Sequence, residues 1–210
     1  MSRRPYRIQL YWKGRRATRA QYAAELWQFV GSLSWASPNL ARLQPYSREG
    51  ELLPPLTGAA QAESLLAHWT VRWRTGPVEH TSYTVPFVLG ALEAPVFAME
   101  LVTGIEPMPL EGLWVPNRLE VTVPADAPEG LATRDVLLAI LHVGVRVFDP
   151  DWGFTGLLGE PVAPKPLFSQ GDPVPAWMTY LSKRFPITDL TLAEPSAVYS
   201  IGDLGYLVIA

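Results

Sequence analysis

The chain has 210 residues, a formal net charge of −3 and no cysteine. This length fits one domain that can bury a core without covalent staples. The lack of cysteine excludes disulfides, thiolate zinc sites and cysteine nucleophiles. The small net charge gives no general indication of binding to nucleic acid or a membrane. We therefore expect a single domain over residues 1–210, with neither a nucleic-acid nor a membrane partner.

The N-terminal sequence lacks the apolar segment and the small-residue cleavage site of a signal peptide. The longest strongly apolar stretch, Val136–Phe148, contains His142 and Arg146 and is too short to cross a bilayer. We therefore expect a cytoplasmic protein.

The N-terminal half of the chain predicts one strand and two helices. Tyr6–Trp12 is rich in strand-forming residues that alternate with polar ones. Thr18 is a suitable cap for a helix that runs to about Leu33. Residues 36–56 contain four prolines and are expected to be irregular, whereas Ala59–Trp69 predicts a second helix.

The middle of the chain predicts strands followed by a helix. Ser82–Leu89, Val96–Thr103 and Asn117–Val123 contain many β-branched or aromatic residues and are separated by connections that contain glycine, proline and glutamate. Antiparallel pairing is the simplest arrangement for such strands. Leu131–Phe148 has helical apolar spacing, and Pro150 ends that helix.

The C-terminal part predicts a loop, a helix and a hairpin. Residues 161–175 hold five prolines and are expected to form a surface loop. Ala176–Arg184 is expected to be a helix, with Trp177, Tyr180 and Leu181 on one apolar face that packs in the core. Ala197–Ile201 and Tyr206–Ile209 flank a Gly-Asp-Leu-Gly turn, which is typical of a hairpin.

Strands cluster along this chain and do not alternate with helices, which favours an α+β fold over a parallel α/β sheet. We expect a mainly antiparallel sheet of about five or six strands, with helices packed mostly on one face.

Few residues form a recognisable catalytic or metal-binding pattern. The three histidines, at 68, 80 and 142, are not spaced for a shared metal, and phosphate-binding and nucleophile-elbow motifs are absent. Asp149 and Asp151 flank Pro150 and could hold a divalent cation or act as an acid/base pair. Helix termination explains the same residues, because an aspartate side chain can bond nearby backbone amides. A metal-dependent hydrolase that uses these two aspartates therefore stays an alternative.

Several segments, taken in order along almost the whole chain, resemble one protein family. They are LYWKGRR near the N-terminus, VPNRLEVTVP, VFDPDWG, PAWMTYLSKR and the terminal IGDLGYLVIA. The sequence resembles the immunity protein 52 family of bacterial polymorphic toxin systems. The most specific of the matching residues are Trp177–Ser182, with the pattern W-x-T-Y-L-S.

The resemblance implies a cytoplasmic antitoxin that binds its cognate toxin by direct protein–protein contact. Members of the family are similar to proteins encoded beside toxins with a restriction-endonuclease-like nuclease domain. The resemblance implies neither an enzyme activity nor a cofactor.

The distribution of charge indicates where a toxin could bind. Residues 75–133 carry eight acidic residues and one basic residue, Arg118. A nuclease presents cationic side chains to phosphate, so carboxylates on an inhibitor complement its cleft. Glu93, Glu106 and Glu111 lie in predicted connections, where side chains point outward. We therefore expect these three glutamates to contact the toxin.

Overall fold

The computed structural model describes residues 4–15, 17–75, 78–105, 117–128, 130–157, 177–184 and 197–209. The helices are α1 (Arg19–Ala36), α2 (Ala59–His68) and α3 (Arg134–Phe148), with a short 3₁₀ helix at Pro38–Arg42. The strands are β1 (Tyr6–Trp12), β2 (Gln44–Pro45), β3 (Thr70–Thr75), β4 (Val78–Ala91), β5 (Ala94–Thr103), β6 (Asn117–Val123), β7 (Trp152–Leu157), β8 (Met178–Ser182), β9 (Ala197–Ile201) and β10 (Gly205–Ile209).

The described strands form one ten-stranded sheet in the order β2-β4-β5-β6-β1-β7-β8-β10-β9, and β3 also pairs with β4. Neighbouring strands run antiparallel, as in β1 with β6 and β7. The predicted α+β class is confirmed, although the sheet has more strands than the five or six expected.

The three α-helices cover one face of this sheet, which we call the inner face; the opposite side is the outer face. Strand residues alternate between the two faces because successive side chains point to opposite sides. Leu10, Leu101 and Leu119 lie side by side on the inner face and belong to the main core with residues of all three helices. The core therefore lies between the sheet and the helices, as the sequence predicts.

Capping residues set the ends of the two long helices. Thr18 accepts a hydrogen bond from the Gln21 amide, and the Gln21 side chain accepts one from the Thr18 amide. Thr133 caps α3, which therefore begins three residues later than the predicted Leu131. Asp149 ends α3 in the left-handed region with φ 44°. No described helix has both the length and the apolar character needed to span a membrane.

The predicted helix at Ala176–Arg184 is wrong, because Met178–Ser182 is strand β8 between β7 and β10. All five residues of β8 are buried, since both faces of the strand are covered. Tyr180 belongs to the main core, whereas Leu181 packs on the outer face. A strand that is buried on both faces lacks strict apolar–polar alternation, so its periodicity does not distinguish it from a short buried helix.

Two further strands and one irregular region differ from the predicted elements. β3 and β7 were not predicted, and the region 36–56 contains the 3₁₀ helix and β2. In β7, a Cβ at Gly153 would lie 2.8 Å from the carbonyl oxygen of Gln9, so glycine is needed for close pairing with β1. Because glycine is uncommon in strands, the two glycines of β7 kept its sequence from matching the usual strand pattern. The predicted surface loop at 161–175 lies outside the described residues.

Candidate functional site

The outer face carries a group of charged and polar side chains on three central strands. Gln9 of β1 lies opposite Glu120 of β6, and Glu120 lies opposite Glu100 of β5. Arg118 is two residues from Glu120 on the same face, and Arg7 is two residues from Gln9. We call Arg7, Gln9, Glu100, Arg118 and Glu120 the outer-face charge cluster.

Direct contacts hold the outer-face charge cluster together. The Gln9 side chain donates a 2.7 Å hydrogen bond to one oxygen of Glu120, and Arg7 Nε lies 3.3 Å from the other. Arg118 donates a 2.8 Å hydrogen bond to Glu100. The two arginines thus offset the repulsion between two carboxylates on adjacent strands.

These ionic groups remain accessible to solvent. The four charged side chains are between 28% and 41% exposed, whereas Gln9 is buried beneath them. Charges held in place but still exposed can pair with opposite charges on another protein without first being ordered.

An aromatic cluster adjoins the charge cluster. Tyr11 of β1 stacks on Trp152 of β7 with ring centroids 4.4 Å apart, and Phe154 and Leu181 complete the group. Burial, reinforced by the negative charge of Glu120, raises the pKa of Tyr11 from 10.0 to about 12. The hydroxyl of Tyr11 therefore keeps its proton to a more alkaline pH than an exposed tyrosine does.

The two aspartates of the DPDW segment are held by one arginine. Arg184 Nε lies 3.2 Å from Asp151 Oδ1, and Arg184 Nη1 donates a 3.0 Å hydrogen bond to Asp149 Oδ2. The Lys13 amide donates a 2.8 Å hydrogen bond to Asp151 Oδ2. Both oxygens of Asp151 thus have partners, and its side chain is only 8% exposed. These contacts tie the end of α3 to β1 and to the end of β8.

Within the described ranges, no three His, Cys, Asp or Glu residues are arranged to hold a metal ion. His142 of α3 accepts a hydrogen bond from Arg146, and burial lowers the pKa of His142. His80 stacks on Trp73 across the β3–β4 pair. Both histidines thus contact neighbouring side chains, His142 within α3 and His80 on the adjacent strand.

The structure places only one of the three predicted toxin-binding glutamates. Glu93 is exposed in the turn that joins β4 to β5. At the usual rise along a strand, this turn is roughly 20 Å from Glu100, so Glu93 is not part of the outer-face charge cluster. Glu106 and Glu111 lie outside the described residues.

The outer-face charge cluster itself was not predicted as a site. The alternation within Asn117–Val123 already puts Arg118 and Glu120 on one face of a strand. What the alternation could not show is that β1 and β5 are the two neighbours of β6. Only that pairing brings Arg7, Gln9 and Glu100 to the same place.

Together, the fold and the cluster define an α+β protein with one sheet face covered by helices and a charged opposite face. No protein-family model matches the chain, and no curated protein matches its sequence. The Pseudomonas aeruginosa T6SS protein PA0821 has a similar structure, with a TM-score of 0.56 and 15% sequence identity. The match covers 98% of this chain but 65% of that protein. At this identity, the likeness shows a shared fold.

Proposed function

We propose that this protein is an immunity protein that binds a cognate toxin in the cytoplasm of the producing cell and neutralises it by direct contact. The observation that carries the proposal is the outer-face charge cluster, with its ordered and partly exposed side chains. Complementary charges steer two proteins together and fix their orientation.

The comparisons and the sequence support the same role. The chain shares its fold with a protein of the type VI secretion system (T6SS), and this likeness supports a proposed role in bacterial competition. The segments LYWKGRR and PAWMTYLSKR resemble those of the immunity protein 52 family. We propose membership of this family on that basis, and hence an inhibitor without catalytic activity or a cofactor.

The toxin that we propose is a nuclease with a restriction-endonuclease-like domain. The support is the acidic stretch 75–133, which complements a cationic phosphate-binding cleft. Glu100 and Glu120 of this stretch lie on the outer face, and Glu93 is exposed at one end of the β4–β5 hairpin. Contacts from Glu93, Glu106 and Glu111 to the toxin stay part of the proposal.

The hydrolase alternative has no specific support among the described residues. A metal site at Asp149 and Asp151 would need free carboxylate oxygens, and both oxygens of Asp151 already have protein partners.

The proposal is tested by co-expressing the protein with the product of the adjacent gene in a bacterial host. We expect the adjacent product alone to stop growth and degrade DNA or RNA, and the pair to grow and co-purify. Immunity is contradicted if the adjacent product is harmless, or if it kills cells regardless of this protein.

Charge reversal then tests the binding surface. Glu100→Arg should weaken toxin binding by about tenfold or more, because a cation then faces the cationic cleft that we propose for the toxin. Arg118→Glu is combined with it in a swapped double variant. The swapped double variant restores the internal ion pair, so its stability should recover while its binding stays weak. The matched control is the same swap at Arg74 and Glu79, an exposed cross-strand pair at 3.8 Å. If all these variants bind equally well, the outer face is not the toxin-binding surface, even if immunity itself is confirmed.

A further inference from the structure

The sheet ends at β9, whose outer edge pairs with no other described strand. All five residues of β9, Ala197–Ile201, are uncharged and none is proline. Val198 is 48% exposed and Tyr199 is 52% exposed. An exposed, uncharged strand edge offers unpaired backbone groups to another strand.

The other end of the sheet is protected against such pairing. β2 has only two residues, and one of them is Pro45. β3 presents the exposed cations Arg72 and Arg74. Short edge strands, proline and charged side chains are the usual means by which proteins prevent edge-to-edge association. β9 has five residues, no proline and no charged side chain, so it lacks the protection found at the other end of the described sheet.

An apolar groove lies beside this unprotected edge. A cavity of about 610 Å³ separates α3 from β9 and β10 and is lined by Leu138, Tyr199, Ile201, Leu207 and Ile209. Arg134 and Asp135, at the start of α3, add one positive and one negative charge to the lining. Tyr199, whose side chain is half-exposed, is part of this lining.

We infer that β9 pairs in antiparallel fashion with β9 of a second copy of this chain, so that one sheet continues through a symmetric dimer. Full pairing of two identical five-residue strands places Tyr199 on the two-fold axis, opposite Tyr199 of the other copy. Val198 then lies opposite Ser200. This inference does not depend on the proposed immunity function.

A second copy fits this edge chemically. Two uncharged strands approach without like-charge repulsion, and an aromatic pair directly across two antiparallel strands is stabilising. A two-fold axis also brings the groove of each copy towards the other. Each groove carries one cation and one anion, so the two linings are complementary to themselves.

Single cysteines can test the pairing directly, because the chain has no cysteine of its own. Antiparallel partners have Cα atoms about 4.5–5.5 Å apart, within the range of about 4.4–6.8 Å that a disulfide spans. Under mild oxidation, Tyr199→Cys should form a covalent dimer rapidly. Val198→Cys, Ser200→Cys and the opposite-edge control Val71→Cys should form one much more slowly.

Charge provides a second test that leaves the edge free of cross-links. Tyr199→Lys puts two cations opposite each other on the axis, so the dissociation constant of the dimer should rise by about tenfold or more. Val71→Lys places the same charge at an exposed valine of β3 and should leave dimerisation unchanged. Sedimentation velocity over a range of concentrations measures the dimer dissociation constant of each variant. Thermal unfolding confirms that each variant folds.

A wild-type protein that stays monomeric at its highest soluble concentration overturns the inference. So does a dimer that survives Tyr199→Lys, or cross-linking that is equally fast at positions 71 and 199. A monomer in which Tyr199→Lys, but not Val71→Lys, abolishes binding to the toxin would assign the edge to the toxin and refute self-pairing.

Discussion

Glu100 and Glu120 lie directly opposite each other on β5 and β6, and each carboxylate is held by a different arginine. Like charges in this position destabilise a sheet. Arg118 contacts Glu100 and Arg7 contacts Glu120, so the repulsion is offset within the outer face. The cluster is therefore a balanced set, in which the loss of one arginine affects both carboxylates.

Removing one arginine should reveal that balance. Arg118→Gln should lower the free energy of unfolding by about 0.5–1 kcal/mol, because Glu100 then faces Glu120 without its partner. Glu120→Gln removes the repulsion with Glu100 together with the ion pair to Arg7, so it should lower the free energy of unfolding by less. Urea unfolding at low and high salt measures both, and the Arg118→Gln effect should shrink as salt screens the carboxylates. A loss that is independent of salt would contradict an electrostatic origin.

Tyr180 should be the more costly of the two aromatic residues in the W-x-T-Y-L-S segment to truncate. It is fully buried, and its hydroxyl donates a 3.0 Å hydrogen bond to the carbonyl of Leu204. Tyr180→Ala should cost about 3–5 kcal/mol and Tyr180→Phe about 1 kcal/mol. Trp177 is only half-buried beside Tyr6, so Trp177→Ala should cost less. Denaturant unfolding measures the loss in free energy of unfolding for each of the three variants. Equal losses for Tyr180→Ala and Trp177→Ala would be inconsistent with the deeper burial of Tyr180.

Asp151 should matter for stability and not for metal binding. Asp151→Ala removes a buried acceptor of the Lys13 amide and should cost about 1–3 kcal/mol, whereas Asp149→Ala, at an exposed carboxylate, should cost under about 1 kcal/mol. Adding Mg²⁺, Mn²⁺ or Zn²⁺ should not raise the melting temperature. A metal-dependent rise that disappears in Asp151→Asn would instead support the hydrolase alternative.

Two helical glycines should respond in opposite directions to alanine. A Cβ at Gly31 of α1 would meet no atom within 4 Å, so Gly31→Ala should stabilise the protein by about 0.5–1 kcal/mol through helix propensity. A Cβ at Gly144 of α3 would collide with Leu10 of β1, so Gly144→Ala should destabilise it by about 1–3 kcal/mol. Paired denaturation curves test the contrast, and stabilisation by Gly144→Ala would be incompatible with close packing of α3 on β1.

Alkaline pH should weaken the fold through two tyrosines. Burial raises the pKa of Tyr11 and of Tyr180 from 10.0 to about 12, with Glu120 and Asp149 as the next causes. The folded chain therefore holds these protons more tightly than the unfolded chain. The stabilisation is complete below about pH 10 and is lost as the pH rises through about 12.

The measurement is the free energy of unfolding as a function of pH. Tyr11→Phe and Tyr180→Phe should each flatten the decline above about pH 10, even where they lower stability at neutral pH. Unchanged slopes in both variants would show that other groups cause the alkaline loss.

Much of the fold could be predicted from local patterns. The alternation in Tyr6–Trp12 and Asn117–Val123 predicted β1 and β6 with their observed bounds, and the terminal hairpin was also predicted. The patterns failed at β8, where burial on both faces removes alternation, and at β7, where glycines replace strand-forming residues. Local pattern thus predicts a strand well only when one of its faces is exposed.

The candidate site depended on information that is not local. The sequence by itself determined which residues alternate within β1 and β6, and hence that Arg118 and Glu120 share a face. It also determined the uncharged character of β9. The tertiary structure alone decided that β1, β5 and β6 are neighbours and that β9 is at the edge of the described sheet. The physical reason is that strand order follows from how the whole chain packs against its helices, and neighbours across a sheet can be far apart in sequence.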